Sequence, residues 1–133
     1  MPVPNSVALE FLLTRRSRQA KTLTAPVHDR AALLPLLTAA ARTPDHGKLE
    51  PWRFIVLEKQ AMARLAGLVP DHGKRLGLDA DKITKAQHQF GNADLAVAVI
   101  CSPKPSKKIP QIEQVYSAGA ACLALLNAAL AAG

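Results

Sequence analysis

The stretch from Gln114 to Gly133 carries no charged side chain, and this limits the possible folds more than any other feature of the sequence. Its length is about what a membrane-spanning helix needs. However, Ser117, Gly119 and Asn127 interrupt the stretch, and alanine, which contributes little to membrane insertion, outnumbers leucine and isoleucine in it. We therefore expect a fully buried helix and no membrane segment. Such a helix must be covered on all sides, which implies a partner subunit or further sequence.

The composition is that of a globular protein. A hydrophobic fraction of 49% with 20% charged residues excludes general disorder, and 133 residues fit a single domain, residues 1–133. Two cysteines, Cys101 and Cys122, are too few for a disulfide scaffold, so we expect a reducing compartment and a cytoplasmic location. Both cysteines lie in apolar segments, which predicts that they are buried and inert. The first residues do not have the pattern of a signal peptide.

The formal net charge of +7 is a feature shared with nucleic-acid-binding proteins. The basic residues are dispersed, however, and no aromatic residue lies among those of the tightest cluster, Arg15, Arg16, Arg18 and Lys21. Without aromatic side chains there is no platform on which bases can stack, so we expect no nucleic-acid partner. Two interpretations of the cluster stay open: a solvated basic surface, or a localised anion site at residues 15–18.

Patterns of apolar residues predict the main elements of the fold. Hydrophobic periodicity predicts four helices before the apolar one, over Val7–Thr14, Asp29–Arg42, Gln60–Leu68 and Asp81–Phe90. Runs of β-branched and apolar residues predict two strands, over Trp52–Leu57 and Leu95–Cys101. The second run is apolar throughout, so we expect a buried central strand. Helical segments that alternate with two separated strands indicate an α/β or α+β fold in which helices cover a sheet.

The sequence Pro-Asp-His-Gly-Lys occurs twice, at Pro44–Lys48 and at Pro70–Lys74. The first copy lies in a polar loop that ends at Pro51, and we expect the second copy to form a turn. Since the flanking sequences differ completely, we interpret the repetition as a coincidence and not as a structural repeat.

The sequence contains no recognisable catalytic or metal-binding motif. Its four histidines are never spaced as metal ligands, and neither a zinc-type cysteine motif nor a nucleophile elbow nor a glycine-rich nucleotide loop is found. We therefore predict no metal and no catalytic side chain.

Two cationic segments remain as candidates for binding, Arg15–Arg18 and Arg42–Lys48. Arginine side chains bind phosphate through paired hydrogen bonds, and the hydroxyl of Ser17 with nearby backbone N–H groups is suited to complete an anion cradle. The second segment is a cationic loop able to reach the same ligand. The residues alone thus predict a phosphate site without specifying its chemistry.

Four segments occur together in an order that is more specific than any one of them. They are Leu12–Ser17, Ala40–Gly47, Glu50–Phe54, and Lys108–Gln114 with Ser117–Ala120. With them the chain resembles, over nearly its whole length, the nitroreductase family of FMN-dependent oxidoreductases, in particular its YdjA-like branch. The chain departs from that pattern at Glu50, where many relatives have glutamine, and at Asp94, where relatives often have proline.

The resemblance implies an α+β fold with a mixed β-sheet flanked by helices. It also implies a homodimer with FMN at the subunit interface, in which the long apolar helix forms much of the dimer core. That arrangement would supply the cover that the apolar helix needs. Members of the family continue beyond the point where this chain stops, so the resemblance further implies that the C-terminal part of the fold is absent from it.

The resemblance also implies the cofactor site and the reaction. Arg15, Arg16 and Ser17 would contact the phosphate and ribityl chain of FMN, and Arg42 and His46 would approach the FMN bound mainly by the other subunit. The reaction would transfer a hydride from NAD(P)H through FMN to a small acceptor such as a nitroaromatic or a quinone. The alternative is a truncated, non-catalytic remnant that dimerises and binds a phosphate-containing ligand weakly.

Overall fold

The computed structural model describes residues 3–133, which form five α-helices and two strands. The helices are α1 (Ser6–Thr14), α2 (Arg30–Ala41), α3 (Lys59–Arg75), α4 (Ala80–Gly91) and α5 (Gln111–Ala132). The strands are β1 (Trp52–Glu58) and β2 (Leu95–Cys101), and single 3-10 turns occur at Ala20–Thr22 and His46–Lys48. Every helix and strand that the sequence predicts is present, with the corrections described below.

The contacts divide the described residues into two compact units. Unit 1 comprises the residues up to Ser17 together with residues 30–53 and 101–133, and unit 2 comprises residues 18–29 and 54–100. Helices α1, α2 and α5 thus belong to unit 1, and α3 and α4 belong to unit 2. The expectation of a single domain stays a prediction.

The core of unit 1 is the contact between α2 and α5. Its buried side chains are Leu33, Leu36 and Ala40 of α2 with Gln114, Ala118 and Ala121 of α5. Each set recurs at three- to four-residue intervals, which places it on one face of its helix. Because Ala40 and Ala121 have no exposed surface, small side chains fill the centre of this contact and allow the two helices to approach closely.

The prediction that the apolar helix is fully buried is wrong for this chain taken alone. Helix α5 buries one face, and only 11% of its most apolar window is buried. Tyr116 is 70% exposed, and Leu123 is also exposed. By length and composition α5 is able to cross a membrane, a test that core helices of soluble proteins also pass. No segment within the described residues covers the exposed face of α5.

Unit 2 is built on the packing of α3 against α4. Met62, Ala66 and Gly73 of α3 are buried, and a Cβ at Gly73 would lie 2.6 Å from Cγ1 of Ile83. The predicted turn at Pro70–Lys74 is wrong, because α3 continues through it to Arg75. Burial of Gly73 against α4 explains the difference, since tertiary packing overrides the weak local preference of proline and glycine for a turn.

The strands pair in a two-stranded sheet. The N–H of Ser102, which follows β2, donates to the carbonyl of Pro51, which precedes β1, at 2.8 Å. The end of one strand thus meets the start of the other, which makes the pair antiparallel. The prediction of a buried central strand is wrong for the described residues: β2 pairs only with β1, and its residues are half-buried up to Ile100.

The prediction of buried cysteines is also wrong. Cys101 ends β2 and Cys122 lies on α5, and both are exposed. The physical reason is the same for both: the apolar segments that contain them are only partly covered within the described residues. Burial of an apolar run depends on what packs against it, and the run itself does not specify that partner.

Two helices begin with side-chain caps that the sequence supplies. The side chain of Asn5 accepts a hydrogen bond from the N–H of Ala8 at 3.0 Å and so caps α1. Asp79 caps α4 in the same way through the N–H of Lys82 at 2.8 Å. The side chain of Lys82, followed by its backbone N–H, stabilises the Asp79 carboxylate and lowers the pKa of that group from its usual value.

Candidate functional site

The first group of predicted site residues, Arg15, Arg16 and Ser17, lies where α1 ends. The N–H of Arg15 donates to the carbonyl of Phe11 at 2.8 Å, and the chain then leaves the helix in an extended conformation. Nη1 of Arg16 donates to the carbonyl of Arg15 at 2.9 Å. Arg16 therefore places its positive charge beside the C-terminal end of α1, where the helix dipole favours a cation.

The second group lies after α2. Arg42 is exposed, and its N–H donates to the carbonyl of Ala39 at 3.2 Å, within the last turn of the helix. Within residues 3–133, the guanidinium groups of Arg15 and Arg42 have no hydrogen-bond or ion-pair partner. Two cations without partners are therefore available to an anionic ligand.

Asp45 closes the loop that follows Arg42. Its Oδ1 accepts hydrogen bonds from the N–H of Leu49 at 2.7 Å and from the N–H of Glu50 at 3.3 Å. Asp45 and Leu49 are both half-buried, so the first of these bonds satisfies a backbone donor that water reaches poorly. The carboxylate thus holds the loop in a tight bend around residues 46–48.

The same loop has an unusual backbone. Gly47, Lys48 and Glu50 have positive φ angles of 77°, 52° and 48°. A positive φ costs free energy for lysine and glutamate because their Cβ atoms crowd the backbone, and such strain concentrates at functional sites. Gly47 also packs against the side chain of Ile109 so closely that a Cβ would overlap its Cδ1 atom. Glycine is therefore required at this position for both conformation and space.

His46 is held by a residue from the other end of unit 1. Its Nδ1 lies 2.8 Å from Oε2 of Glu113, in the first turn of α5. The side chains are 64% and 46% exposed, so the imidazole stays accessible to a ligand while one of its nitrogens is engaged. This contact joins the loop to the start of α5.

A side-chain clamp fixes the start of α5. Gln114 is 3% exposed, and its amide accepts from the N–H of Lys104 at 2.7 Å and donates to the carbonyl of Lys104 at 2.9 Å. Ser106 accepts from the N–H of Ile109 at 3.1 Å in the same connection. An open cavity of about 310 Å³ lies beside this clamp, lined in part by Lys104 and Gln114.

Sequence reasoning assigned no role to Asp45, Glu113 or Gln114. An acidic residue in the first turn of a helix, as Glu113 is, is a weak signal because the helix dipole alone explains it. Asp45 precedes a glycine-containing loop, which is typical of an Asx turn. No pattern in the sequence indicates that Gln114 pairs with the backbone of Lys104, because the two residues are brought together by the fold.

All five predicted cofactor-binding residues lie in unit 1, in the two groups described. Within residues 3–133, no hydrogen bond or ion pair joins the two groups, and the side chain of His46 contacts Glu113. That the two groups meet at one ligand stays a prediction. No cluster of three or more potential metal-ligating side chains occurs among residues 3–133.

A cavity with a volume of about 650 Å³ lies in unit 2. It is lined by the polar face of α4, including Lys85 and His88, and by the 3-10 turn with Lys21. These side chains are exposed, and none of the predicted site residues lines the cavity. Its size is within the range of ligand pockets, but its charged lining side chains are exposed and do not form a built site.

The sequence profile of the nitroreductase family matches residues 12–133. The chain belongs to the nitroreductase family. It is 38% identical over 127 residues to a Haemophilus influenzae protein named "Putative NAD(P)H nitroreductase", with 95% of this chain and 68% of that protein aligned. It is 35% identical over 126 residues to the Escherichia coli K12 protein "Putative NAD(P)H nitroreductase YdjA", with the same coverage.

A solved structure supports the fold. The nitroreductase-like family protein from Bacillus cereus superimposes with a TM-score of 0.72 at 19% sequence identity, over 97% of this chain. This confirms the predicted α+β, nitroreductase-like fold class. The chain spans 66% of the length of that protein and 68% of the length of the two relatives above.

Proposed function

We propose that the chain acts as an FMN-dependent NAD(P)H oxidoreductase in a homodimer with FMN at the subunit interface. Membership of the nitroreductase family and the names of the relatives support an oxidoreductase role. The observation that carries the FMN proposal is the pair of guanidinium groups, those of Arg15 and Arg42, that have no partner within residues 3–133. The acceptor that we propose is a small nitroaromatic or quinone.

The donors present are chemically suited to the phosphate end of FMN. A phosphate monoester carries a charge near −2 at neutral pH and accepts several hydrogen bonds, which suits arginine forks and a serine hydroxyl. Arg15, Arg16, Ser17 and Arg42 supply such donors. The one carboxylate within the second group, Asp45, is occupied by two backbone N–H groups. Asp45 therefore forms no ion pair with the guanidinium group of Arg42 within residues 3–133.

Each of these side chains has a binding or electrostatic role in the proposal. Arg15, Arg16 and Ser17 hold the phosphate and ribityl chain, and Nη1 of Arg16 also donates to the carbonyl of Arg15. Arg42 and His46 approach the cofactor of the partner subunit. FMN, when bound, supplies the hydride chemistry between NAD(P)H and the acceptor. No side-chain nucleophile or general base is required, which agrees with the lack of a motif for one in the sequence.

The homodimer is supported by the uncovered surface of α5. Ile112, Val115, Tyr116, Leu123 and Leu126 are exposed large apolar residues on this helix. Contiguous exposed apolar surface on a soluble protein is typical of an interaction site. We propose that a second copy of the chain covers α5, which is one of the two kinds of cover, a partner subunit or further sequence, that the uncharged stretch from Gln114 onwards implies.

The test is the flavin content of the purified protein. We expect the wild type to be yellow or to take up added FMN, and Arg15→Ala and Arg42→Ala to weaken FMN binding by about 10- to 100-fold, since each removes charge-assisted hydrogen bonds. Arg64→Ala is the matched control, because Arg64 is an exposed arginine on α3 outside the candidate site. Fluorescence titration of FMN measures the dissociation constants.

The same measurement separates the two candidate functions. A folded, dimeric protein that takes up no FMN contradicts the flavin proposal. If phosphate nevertheless raises its melting temperature in an Arg15-dependent way, the non-catalytic phosphate-binding remnant is supported, since a ligand that binds the native state stabilises it by mass action.

A further inference from the structure

We propose that Glu113 is a positioning residue that fixes the tautomer and orientation of His46 and so presents Nε2 of His46 to the ligand. The contact joins the Pro-Asp-His-Gly loop to the first turn of α5, two segments far apart in the sequence. The identity of the ligand as FMN rests on the proposed function. The tautomer and orientation of the imidazole do not rest on the proposed function, because the hydrogen bond that determines them lies within this chain.

The geometry determines which ring nitrogen carries the proton. An ionised carboxylate is only an acceptor, so in the 2.8 Å contact Nδ1 of His46 donates to Oε2 of Glu113. In the neutral ring Nε2 is then the free acceptor, and in the protonated ring Nε2 is a free donor. Free histidine in water prefers the opposite tautomer, with the proton on Nε2. Glu113 is therefore expected to select the less common form.

The backbone of Glu113 is held in place independently of His46. It lies in the first turn of α5, where the helix dipole favours an anion, and its N–H donates to the carbonyl of Pro110 at 3.2 Å. The next residue, Gln114, is buried and is bound at both ends of its amide to the backbone of Lys104. The backbone at Glu113 is thus held by neighbours that do not depend on His46.

His46, by contrast, lies in a loop that needs anchors. The loop contains positive φ angles at Gly47, Lys48 and Glu50, and such conformations persist only where the surroundings enforce them. Packing of Gly47 against Ile109 anchors the backbone, but the imidazole is 64% exposed and makes no other hydrogen bond within residues 3–133. Without Glu113 the ring is free to rotate about its side-chain bonds.

Stability alone is a poor reason for this contact. Exposed pairs of this kind contribute roughly 0.2–1 kcal/mol to folding. Lys59 and Asp94 form an exposed pair in unit 2 at the same 2.8 Å distance, and they serve as the reference for a contact with no assigned ligand role. Histidines that bind a ligand through one nitrogen are commonly oriented by a carboxylate on the other, and loss of that partner weakens binding by about 10- to 100-fold in metal sites.

The first arm of the test measures the tautomer directly. Imidazole nitrogen NMR shifts, recorded above the titration range of the ring, distinguish a proton on Nδ1 from one on Nε2. We expect His46 to carry it on Nδ1, Glu113→Ala to move it to Nε2, and the exposed His72 of α3 to have it on Nε2 throughout. This arm tests whether Glu113 sets the tautomer of His46, and the second arm tests whether that tautomer matters for ligand binding. A wild-type His46 protonated on Nε2 overturns the proposal, whether or not the protein binds FMN.

The second arm measures the dissociation constant of FMN. We expect Glu113→Ala to weaken FMN binding about tenfold and to add nothing to His46→Ala in the double variant, while Asp94→Asn has no effect. Melting temperatures of the variants close to that of the wild type show that folded proteins are being compared. Additive effects of the two substitutions, or an unaltered dissociation constant in Glu113→Ala, overturn the positioning role. A wild type that binds no FMN contradicts the proposed function instead, and the tautomer measurement still tests Glu113.

Discussion

The two copies of Pro-Asp-His-Gly-Lys have identical sequences and different structures. Pro44–Lys48 forms a loop that contains a 3-10 turn and places Gly47 at a φ of 77°. Pro70–Lys74 lies inside α3, which continues to Arg75. The histidine of the first copy pairs with Glu113, whereas the histidine of the second copy is an exposed helical residue.

The difference comes from the neighbours of each copy. Gly47 is packed against Ile109, and Asp45 binds the backbone of Leu49 and Glu50, so the first copy is folded back on itself. The second copy extends an amphipathic helix whose buried face ends at Gly73 against Ile83. The same five residues thus adopt, in each place, the conformation that their tertiary contacts stabilise. Matched substitutions in the two copies test this explanation.

The glycines should differ most. Gly47→Ala places a Cβ in the left-handed region and against Ile109, and we expect it to lower the free energy of unfolding by about 2–4 kcal/mol. In Gly73→Ala the overlap with Ile83 is partly offset by the higher helix propensity of alanine, so we expect a loss of about 0–2 kcal/mol. Urea denaturation of both variants gives the values. A larger loss for Gly73→Ala than for Gly47→Ala would contradict the explanation.

The prolines should act in opposite directions. Pro70 has no N–H to donate to the carbonyl of Ala66, so Pro70→Ala restores a helical hydrogen bond and should stabilise the protein by about 1–3 kcal/mol. Pro44 lies in the loop, where Pro44→Ala frees the unfolded chain and should destabilise by less than about 1 kcal/mol. Thermal denaturation compares the two variants. Stability changes of the same sign in both variants would contradict the difference in backbone conformation between the two copies.

The aspartates should differ by a smaller amount. Asp45→Ala leaves the N–H groups of Leu49 and Glu50 without their acceptor and should cost about 1–3 kcal/mol. Asp71 is exposed on α3, and Asp71→Ala should change stability by less than about 0.5 kcal/mol. The midpoints of urea denaturation measure both effects. An Asp45→Ala variant as stable as the wild type would mean that the loop does not depend on this carboxylate.

The histidines should differ least in stability and most in ligand binding. His46→Ala removes an exposed pair with Glu113 and should cost at most about 1 kcal/mol, and His72→Ala should be neutral within about 0.5 kcal/mol. Under the proposed function only His46→Ala weakens FMN binding. Melting temperatures together with FMN titrations of the two variants check this, and equal FMN affinities would remove His46 from the site.

Local pattern was sufficient to predict most elements of the fold. The apolar periodicity of α1, α2 and α4 and the strand composition of β1 and β2 located these elements to within a few residues. The errors occurred where a neighbour decides the outcome. Packing of Gly73 against Ile83 extends α3 through the expected turn. Strand β2 stays half-buried because it is only partly covered within the described residues.

For the candidate site, the sequence supplied the charges but not their arrangement. It predicted Arg15 and Arg42 as anion-binding residues because guanidinium groups suit phosphate. It assigned no role to Glu113, since a contact between residues 67 positions apart has no local signature. The positive φ angles of Lys48 and Glu50 could not be predicted from the sequence either, because neither residue type favours that conformation.

The sequence by itself determined most of the helical and extended segments and where the cationic groups lie along the chain. These features follow from side-chain type and period, which act over a few residues. Only the tertiary structure decided that one copy of Pro-Asp-His-Gly-Lys bends and the other continues a helix, and that His46 meets Glu113. The physical reason is that these outcomes depend on contacts between distant residues, whose free energies exceed the weak local preferences of the backbone.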